Sequence, residues 1–527
     1  MTTEFKHLHL GSVVGLDLGK TIAYRGLKYA ELEHTFAEPT LFTNPGRPTL
    51  DATSYGPLCI QNLSSCNMEF GFIQHALPQN ESTFSRTACL NLNIITPKEK
   101  KKSLPVFVFI HGGGFSLGGN SWPQYDPTRL VELSVKEGSP VIGISINYRV
   151  GLPGFLASQE LLNSGIKTNN GLRDQRIALS WIRSYIEGFG GDPNNITVVG
   201  VSVGAISCFL HLESEQPLFN RIVAMGGTPL LLKPVPISVA GGVYNIVMEK
   251  LGLAKTTPAD ARAKALKEAS IEDLVAAAEH LPMLPIIDGE LVKSPATFSS
   301  WSFQERVLPG TKWCESIMIG DCEMDSSILF YMLHDRQAGL EKSFVTTTNQ
   351  LLTNPTTKQQ LLANYEIGDH GATAQDLAVD NILRFAHDIG FYAPLVSIAS
   401  GFPGKSYVFH FNELNPWKGK YQGVATHLLD AAFLFQNYNE FLDDTQRSSA
   451  EAFGKCFIKY VTGEEPFPEY SAEKGGAMVY GTEGERQKFV RSKRGEDVGR
   501  RSTIFKLAES SSLEELSALW GTFLSGQ

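Results

Sequence analysis

Short runs that are apolar at nearly every position set the strongest limit on how this chain folds. Leu104-Pro-Val-Phe-Val-Phe-Ile110, Val141-Ile-Gly-Ile-Ser-Ile-Asn-Tyr148 and Ile196-Thr-Val-Val-Gly200 are rich in β-branched and aromatic residues and are of strand length. A strand wetted on one face alternates polar with apolar, whereas a strand apolar throughout is buried on both faces. Between the last two runs, Leu172, Ile177, Leu179, Trp181, Ile182 and Ile186 recur at helical spacing. Ser316-Ile-Met-Ile319 and Tyr407-Val-Phe-His-Phe411 continue the series of strands. Short buried strands alternating with helices predict an α/β architecture, a mostly parallel central sheet covered by helices. Two stretches, at about 235–310 and 330–400, read differently. They are helical, rich in Ala, Leu, Lys and Glu, and poor in strand signals, as in Pro258–Leu266 and Ile271–His280. They are expected to be cap insertions within one domain spanning residues 1–527, since no Gly/Ser or Pro linker divides the chain.

Composition removes several classes of function. Hydrophobic residues make up 42% and charged residues 19%, which excludes intrinsic disorder. A net charge of −9 argues against a nucleic-acid footprint. The basic runs Lys98–Lys102 and Arg491–Arg501 are interleaved with acids and are expected to be solvated loops. No apolar stretch reaches the ~18 residues of a membrane span. The N-terminus has no basic region followed by an apolar core, so the expected location is cytoplasmic, or secreted if a leader has been removed. The seven cysteines show no Cys-x-x-Cys or His-rich metal spacing. Neither a metal nor an organic cofactor is expected, and the protein is expected to be a monomer or homodimer.

Two segments carry chemistry. Gly200-Val-Ser-Val-Gly204 follows a strand and precedes the helix-compatible run Ala205–Leu210. A serine on so tight a strand-to-helix turn is held at its tip, with a helix N-terminus behind it that favours developing negative charge. His111-Gly-Gly-Gly-Phe115 directly follows the strand at 104–110. Glycines let backbone N–H groups approach an oxyanion, which points to Gly113 and Gly114, with the Val203 N–H as a third donor. A serine nucleophile needs a base and an orienting acid, in the chain order Ser, Asp/Glu, His. His211, His280, His334, His370, His387, His410 and His427 all follow Ser202, and Asp321, Glu323 and Asp325 all follow the strand at 316–319. Spacing alone does not choose among them.

These motifs resemble those of the type-B carboxylesterase/lipase family, which includes the cholinesterases, and look closest to its fungal members. The likeness runs nearly end to end: Arg25–Ala30, Cys89–Ile94, His111–Phe115, Asn147–Gly151, Asn170–Gln175 with Phe189–Pro193, Pro285–Gly289 and Asn415–Trp417 each match a family string. The resemblance implies the α/β-hydrolase fold with a cap-lined gorge. It also implies the catalytic residues Ser202, His427 and Asp325, because the family's acid falls five residues after Gly320 and its His-x-x-[ED] string falls on His427 and Asp430. Glu323 is the alternative acid. Family members often pair the cysteines equivalent to Cys59 and Cys89, which implies a disulfide between these two. The chain departs from the family in four ways. Val201 stands where an acid usually precedes the serine, Asp325 replaces the usual Glu, Thr87-Ala88 replaces Glu-Asp before Cys89, and the 59–89 excursion holds Phe70 and Phe72 but no Trp. The first and last of these disfavour a cationic, choline-like substrate.

The implied activity is serine-dependent hydrolysis of a small, uncharged, fairly apolar carboxylic ester through an acyl-enzyme. One alternative is an acyltransferase or cyclase that passes the same acyl group to an alcohol or amine of a secondary metabolite. Another is a non-catalytic binding protein of the same fold.

Overall fold

A computed structural model describes all residues except 45, 47, 100, 334, 335, 337, 338, 369–374, 483, 484, 493–499 and 527, and the main chain alone at 375, 376 and 482. The candidate bases His334 and His370, Lys100 of the first basic run and 493–499 of the second lie outside the described residues.

The central sheet runs through twelve strands: β1 (Thr2–His7), β2 (Gly11–Asp17), β3 (Thr21–Lys28), β4 (Asn91–Pro97), β5 (Leu104–Ile110), β6 (Ile142–Ile146), β7 (Gly191–Val201), β8 (Arg221–Met225), β9 (Ser316–Cys322), β10 (Lys405–Phe411), β11 (Ala477–Thr482) and β12 (Glu485–Val490). A short thirteenth, Leu50–Asp51, lies beside β2. Their spatial order is β1-β2-β3-β4-β6-β5-β7-β8-β9-β10-β11-β12. From β6 to β11 every pairing is parallel, and the flanking pairings are antiparallel. The mostly parallel sheet read from the sequence is therefore present, with antiparallel edges added. Each apolar strand feeds both faces. In β5, Val106, Val108 and Ile110 join one hydrophobic cluster, and Phe107 and Phe109 join the other. β7 divides likewise, Ile196 and Val198 against Val199 and Val201.

Helices close both faces. Besides α1 (Ser65–Ile73), treated below, α2 (Asn170–Tyr185) and α3 (Val203–Leu210) cover the first face, and α4 (Asp444–Thr462) covers the second. α2 buries Leu172, Leu179, Trp181 and Ile182. Asp443 caps α4 by accepting from Gln446 N–H, and Gly463 ends it in the left-handed region. The stretch 235–310 carries helices Ile237–Lys250, Ala259–Glu268 and Ile271–Ala278, and one two-residue parallel pairing of Val235–Pro236 with Ile286–Ile287. The later stretch is helical over Leu340–Leu351, Pro355–Asn364 and Gln375–His387, and continues through a π-helical turn, Asp388–Tyr392, into Ala393–Gly401.

Buried ion pairing joins two of the motif strings. Arg149 donates from its backbone N–H and from Nε to Asp174 Oδ2 (2.9 and 2.8 Å) and from Nη2 to Oδ1 (2.8 Å). Its Nη1 donates to the carbonyls of Thr35 and Ala37. Both partners are essentially inaccessible to water. Such a pair supports a unique register more than it adds net stability, because desolvation cancels much of the attraction.

Candidate active site

The parallel register of β5, β7 and β8 brings three strand ends together: Gly200 pairs with Ile110 on one side and Ala224 on the other. β7 then turns sharply into α3. At Ser202 the backbone adopts φ 56°, ψ −124°, a strained conformation for a residue with a Cβ, held by its N–H donating to the Met225 carbonyl (2.8 Å). A side chain at Gly204 would collide with the Ile110 carbonyl, and one at Gly200 with the Gly204 backbone. The motif's two glycines thus answer to close approach. Of residues 201–210, Ser202 alone is not fully buried.

The triple-glycine loop crosses over this turn, since a Cβ on Gly112 would lie 3.2 Å from Ser202 Cβ. Gly113 has φ 99°, and its carbonyl accepts from Ser116 and Leu117 N–H, which folds the loop back on itself. Among the described residues, neither the Gly113 nor the Gly114 N–H donates to a protein acceptor. His111 anchors the loop. Its ring stacks on Tyr148 at 4.3 Å, and the Tyr148 hydroxyl donates to the His111 carbonyl. Burial depresses the imidazole to about 4, so it is neutral at ordinary pH.

Asp325 and His427 meet beside this turn. His427 Nδ1 donates to Asp325 Oδ1 at 2.7 Å, and Cys322 N–H donates to Asp325 Oδ2 at 2.9 Å. The segments carrying the two residues are joined by a parallel bridge between Met324 and Thr426, in which Met324 N–H donates to the Ala425 carbonyl. The Ser327 hydroxyl accepts from His427 N–H. Phe391, on the π-helical turn, sets its ring edge-on to the imidazole at 5.8 Å.

Two glycines that follow β8, and that sequence reading passed over, separate this pair from the serine. A Cβ on Gly226, whose φ is 56°, would stand 2.8 Å from Asp325 Oδ1 and 3.1 Å from His427 Cε1; one on Gly227 would strike the Ser202 backbone. A Gly-Gly just after a buried strand is their only trace in the sequence.

The remaining candidates fall elsewhere. Glu323 is half-buried, and the imidazole of His427 goes to Asp325. His211 bonds Gln175 beneath α3, and His280 is exposed beside Glu279. His387 and His410 both face Asp321. Cys59 and Cys89 are buried free thiols in contact, each able to hydrogen-bond the other. The last two residues of the second basic run depart from the solvated loop expected of it: Arg500 is 3% exposed and Arg501 bonds Asp388, because each finds a buried carboxylate.

Two further buried acids lie close by. Glu69, on α1, accepts from Gln124 Nε2, and burial raises its carboxyl above the ordinary range. Asp430 is raised further, by burial and by the charge of Asp325, although its Oδ1 accepts from Ala431 N–H at 2.8 Å. A carboxyl with a raised folded-state pKa costs stability when it ionises. The cost is absent below about pH 4, where the unfolded chain is also protonated, and accumulates as the pH rises. Asp430→Asn keeps the acceptor for Ala431 and removes that cost. Its melting temperature is expected to exceed the wild type's by a few degrees at pH 8, and the difference should vanish toward pH 4; thermal melts across this range check it.

A parallel-centred sheet with a serine elbow at one strand end defines an α/β-hydrolase. A PNB esterase structure superposes with a TM-score of 0.73 over 93% of this chain and 97% of its own, at 22% identity, a likeness of fold. Residues 3–490 match the Carboxylesterase family, and the chain belongs to it. Lipase 3 of Yarrowia lipolytica is 26% identical over 86% of this chain and 88% of its own length. Lipase 2 of Diutina rugosa is 35% identical over 41% of this chain, so the match spans less than half (44%) of that lipase. Among the described residues no helix is long and apolar enough to cross a membrane.

Proposed function

We propose that this protein is a serine carboxylic-ester hydrolase that works through an acyl-enzyme on an uncharged, fairly apolar ester. The observation that carries the reading is the 2.7 Å hydrogen bond from His427 to Asp325, placed against a strained serine turn beneath a glycine loop with undedicated N–H groups. His427 takes the Ser202 proton as Oγ attacks the ester carbonyl. Asp325 holds Nδ1 protonated, so that Nε2 is the base, and it stabilises the imidazolium. The N–H groups of Gly113, Gly114 and Val203 receive the oxyanion. His427 then returns the proton to the departing alcohol, and water repeats the sequence to release the acid.

The preference for uncharged esters rests on the apolar neighbours Val201 and Val203, both buried, and on the Phe391 ring over His427. Burial also weakens Glu69 and Asp430 as fixed negative charges that a cation would seek. The helical stretches at about 235–310 and 330–400 act as the cap of a single domain; Phe391 is the later stretch's contact with the catalytic imidazole.

A panel of p-nitrophenyl esters with acyl chains from two to twelve carbons tests the reading, together with mass detection of an acyl group on Ser202. Turnover with a transient Ser202 adduct, and faster turnover of neutral esters than of a choline ester, is expected. Inertness toward the esters and toward a fluorophosphonate would leave a binding protein. Product that forms only when an added alcohol or amine intercepts the acyl group would mark a transferase.

A further inference from the structure

Behind the Asp325–His427 pair lies a second buried charge cluster that the mechanism does not use. Asp321 sits near the end of β9, in register with His410 of β10, which donates from Nδ1 to Asp321 Oδ1 at 2.6 Å. His387 Nε2 lies 3.4 Å from Asp321 Oδ2. Arg500 donates to the same carboxylate from Nε (3.0 Å to Oδ2) and Nη2 (2.8 Å to Oδ1). Burial opposes charge on Asp321, but Arg500 and the two histidines outweigh it and hold the carboxyl well below the usual range. The cluster is therefore an ion pair flanked by imidazoles.

Arg500 Nη1 donates to Asn412 Oδ1 at 2.9 Å. Nη2 also donates to the main-chain carbonyl of Asp321, at 3.2 Å. That carbonyl and the Cys322 N–H belong to one peptide group, and the Cys322 N–H is the donor to Asp325 Oδ2. A continuous line thus runs from a buried cation through one amide to the carboxylate that orients His427. We propose that Arg500 is a positioning residue for the Asp325–His427 pair, acting through the Asp321–Cys322 peptide. The inference rests on the catalytic reading given above.

Two physical effects follow from the arrangement. A carbonyl polarised by a guanidinium makes its amide N–H a stronger donor, because hydrogen bonds in a low-dielectric chain reinforce one another. Asp325 also reaches the imidazole on a short side chain, so the placement of the main chain at 321–325 sets the carboxylate's aim. Arg500 fastens that main chain from a segment beyond residue 490, where the family match ends. Asp321 has a second duty: its charge offsets the arginine's, so that the pair sees a cation and an anion together.

Single substitutions that unbalance this pair should move the acid limb of the pH–rate profile in opposite directions. Arg500→Gln leaves the Asp321 anion unmatched, favours imidazolium at His427, and is expected to shift the limb of kcat/KM to higher pH by about half a unit or more. It should also lower kcat/KM at the optimum by about tenfold or more. Asp321→Asn keeps the one acceptor that His410 and Arg500 Nη2 share, leaves the cation unmatched, and should shift the limb to lower pH. The double variant should restore the limb while remaining slower than wild type, since the carbonyl has lost its cation. Glu69, Cys322, Glu323, His387, Asp388, Tyr392, His410, Asp430 and Arg501, which also lie around the two clusters, are unchanged in all three. The measurement is p-nitrophenyl butyrate hydrolysis from pH 5 to 9, with melting temperatures alongside. A mere loss of stability would lower rates without reversing the sign of the limb's shift. Limbs that stay put, or move the same way in both single variants, overturn the proposal. Should Arg500→Gln fail to fold, Asp321→Asn decides alone: a downward shift supports the proposal and any other result defeats it. A wild type that neither hydrolyses the ester nor is labelled at Ser202 by a fluorophosphonate removes the catalytic reading and this inference with it, whereas wild-type turnover with unmoved limbs removes this inference only.

Discussion

Ser202→Ala is expected to lower kcat on p-nitrophenyl esters by about 10⁶-fold and to abolish fluorophosphonate labelling, with little change in melting temperature. The size follows from cooperation: once the nucleophile is gone, base and acid have nothing to activate, and only the oxyanion donors and substrate binding remain. The small structural effect follows from the local geometry. The strained backbone at 202 is held by its N–H bond to Met225 and by the close approaches at Gly200, Gly204 and Gly227, none of which involves the hydroxyl. Removing one oxygen from a partly exposed site leaves no buried polar group unpaired. Stopped-flow assays at substrate saturation, with alanine at 202 and differential scanning calorimetry beside them, would measure both halves. Retention of wild-type turnover would reassign the nucleophile.

The second large effect discriminates between two acids. Asp325→Asn is expected to cost about 10⁴-fold in kcat, because an amide facing Nδ1 stabilises the wrong imidazole tautomer and no imidazolium. Glu323→Gln is expected to stay within a few-fold of wild type, since its side chain is half-buried and His427 Nδ1 donates to Asp325, two residues on. Steady-state kinetics of the two variants side by side settle the choice. The reverse ranking would move the acid to 323 and would require the 322–325 turn to rearrange.

The chemistry-bearing turns were legible in the sequence because they are local. Gly200–Gly204 and His111–Phe115 each declare their form through steric demands met within five residues. The buried strands declared themselves through unbroken apolarity. The antiparallel edge did not: β1 alternates exposed with part-buried positions along Thr-Thr-Glu-Phe-Lys before a buried His7, a pattern that a short surface loop shares. The proposed partnership of Ser202, Asp325 and His427 was out of reach of spacing. Seven histidines follow Ser202, five of them beyond the three acids, and what brings Asp325 and His427 together is a bridge between residues about a hundred positions apart. Resemblance to a family supplied the assignment that local physics could not. Arg500 shows the opposite failure. A run of basic residues among turn formers looks like a solvated loop, and only the fold discloses a buried carboxylate waiting at its end.

The bridge between Met324 and Thr426 bears on how this enzyme class is recombined. The proposed acid and base are carried by segments that touch each other directly, so the two form one inheritable unit although the helical stretch at about 330–400 lies between them in the chain. A chimera with a single crossover anywhere from 330 to 420 would unite one parent's acid with the other's base across a seam shaped by neither. Exchanging that helical stretch between two crossovers, with both flanks kept from the same parent, leaves the seam whole and varies only what surrounds it.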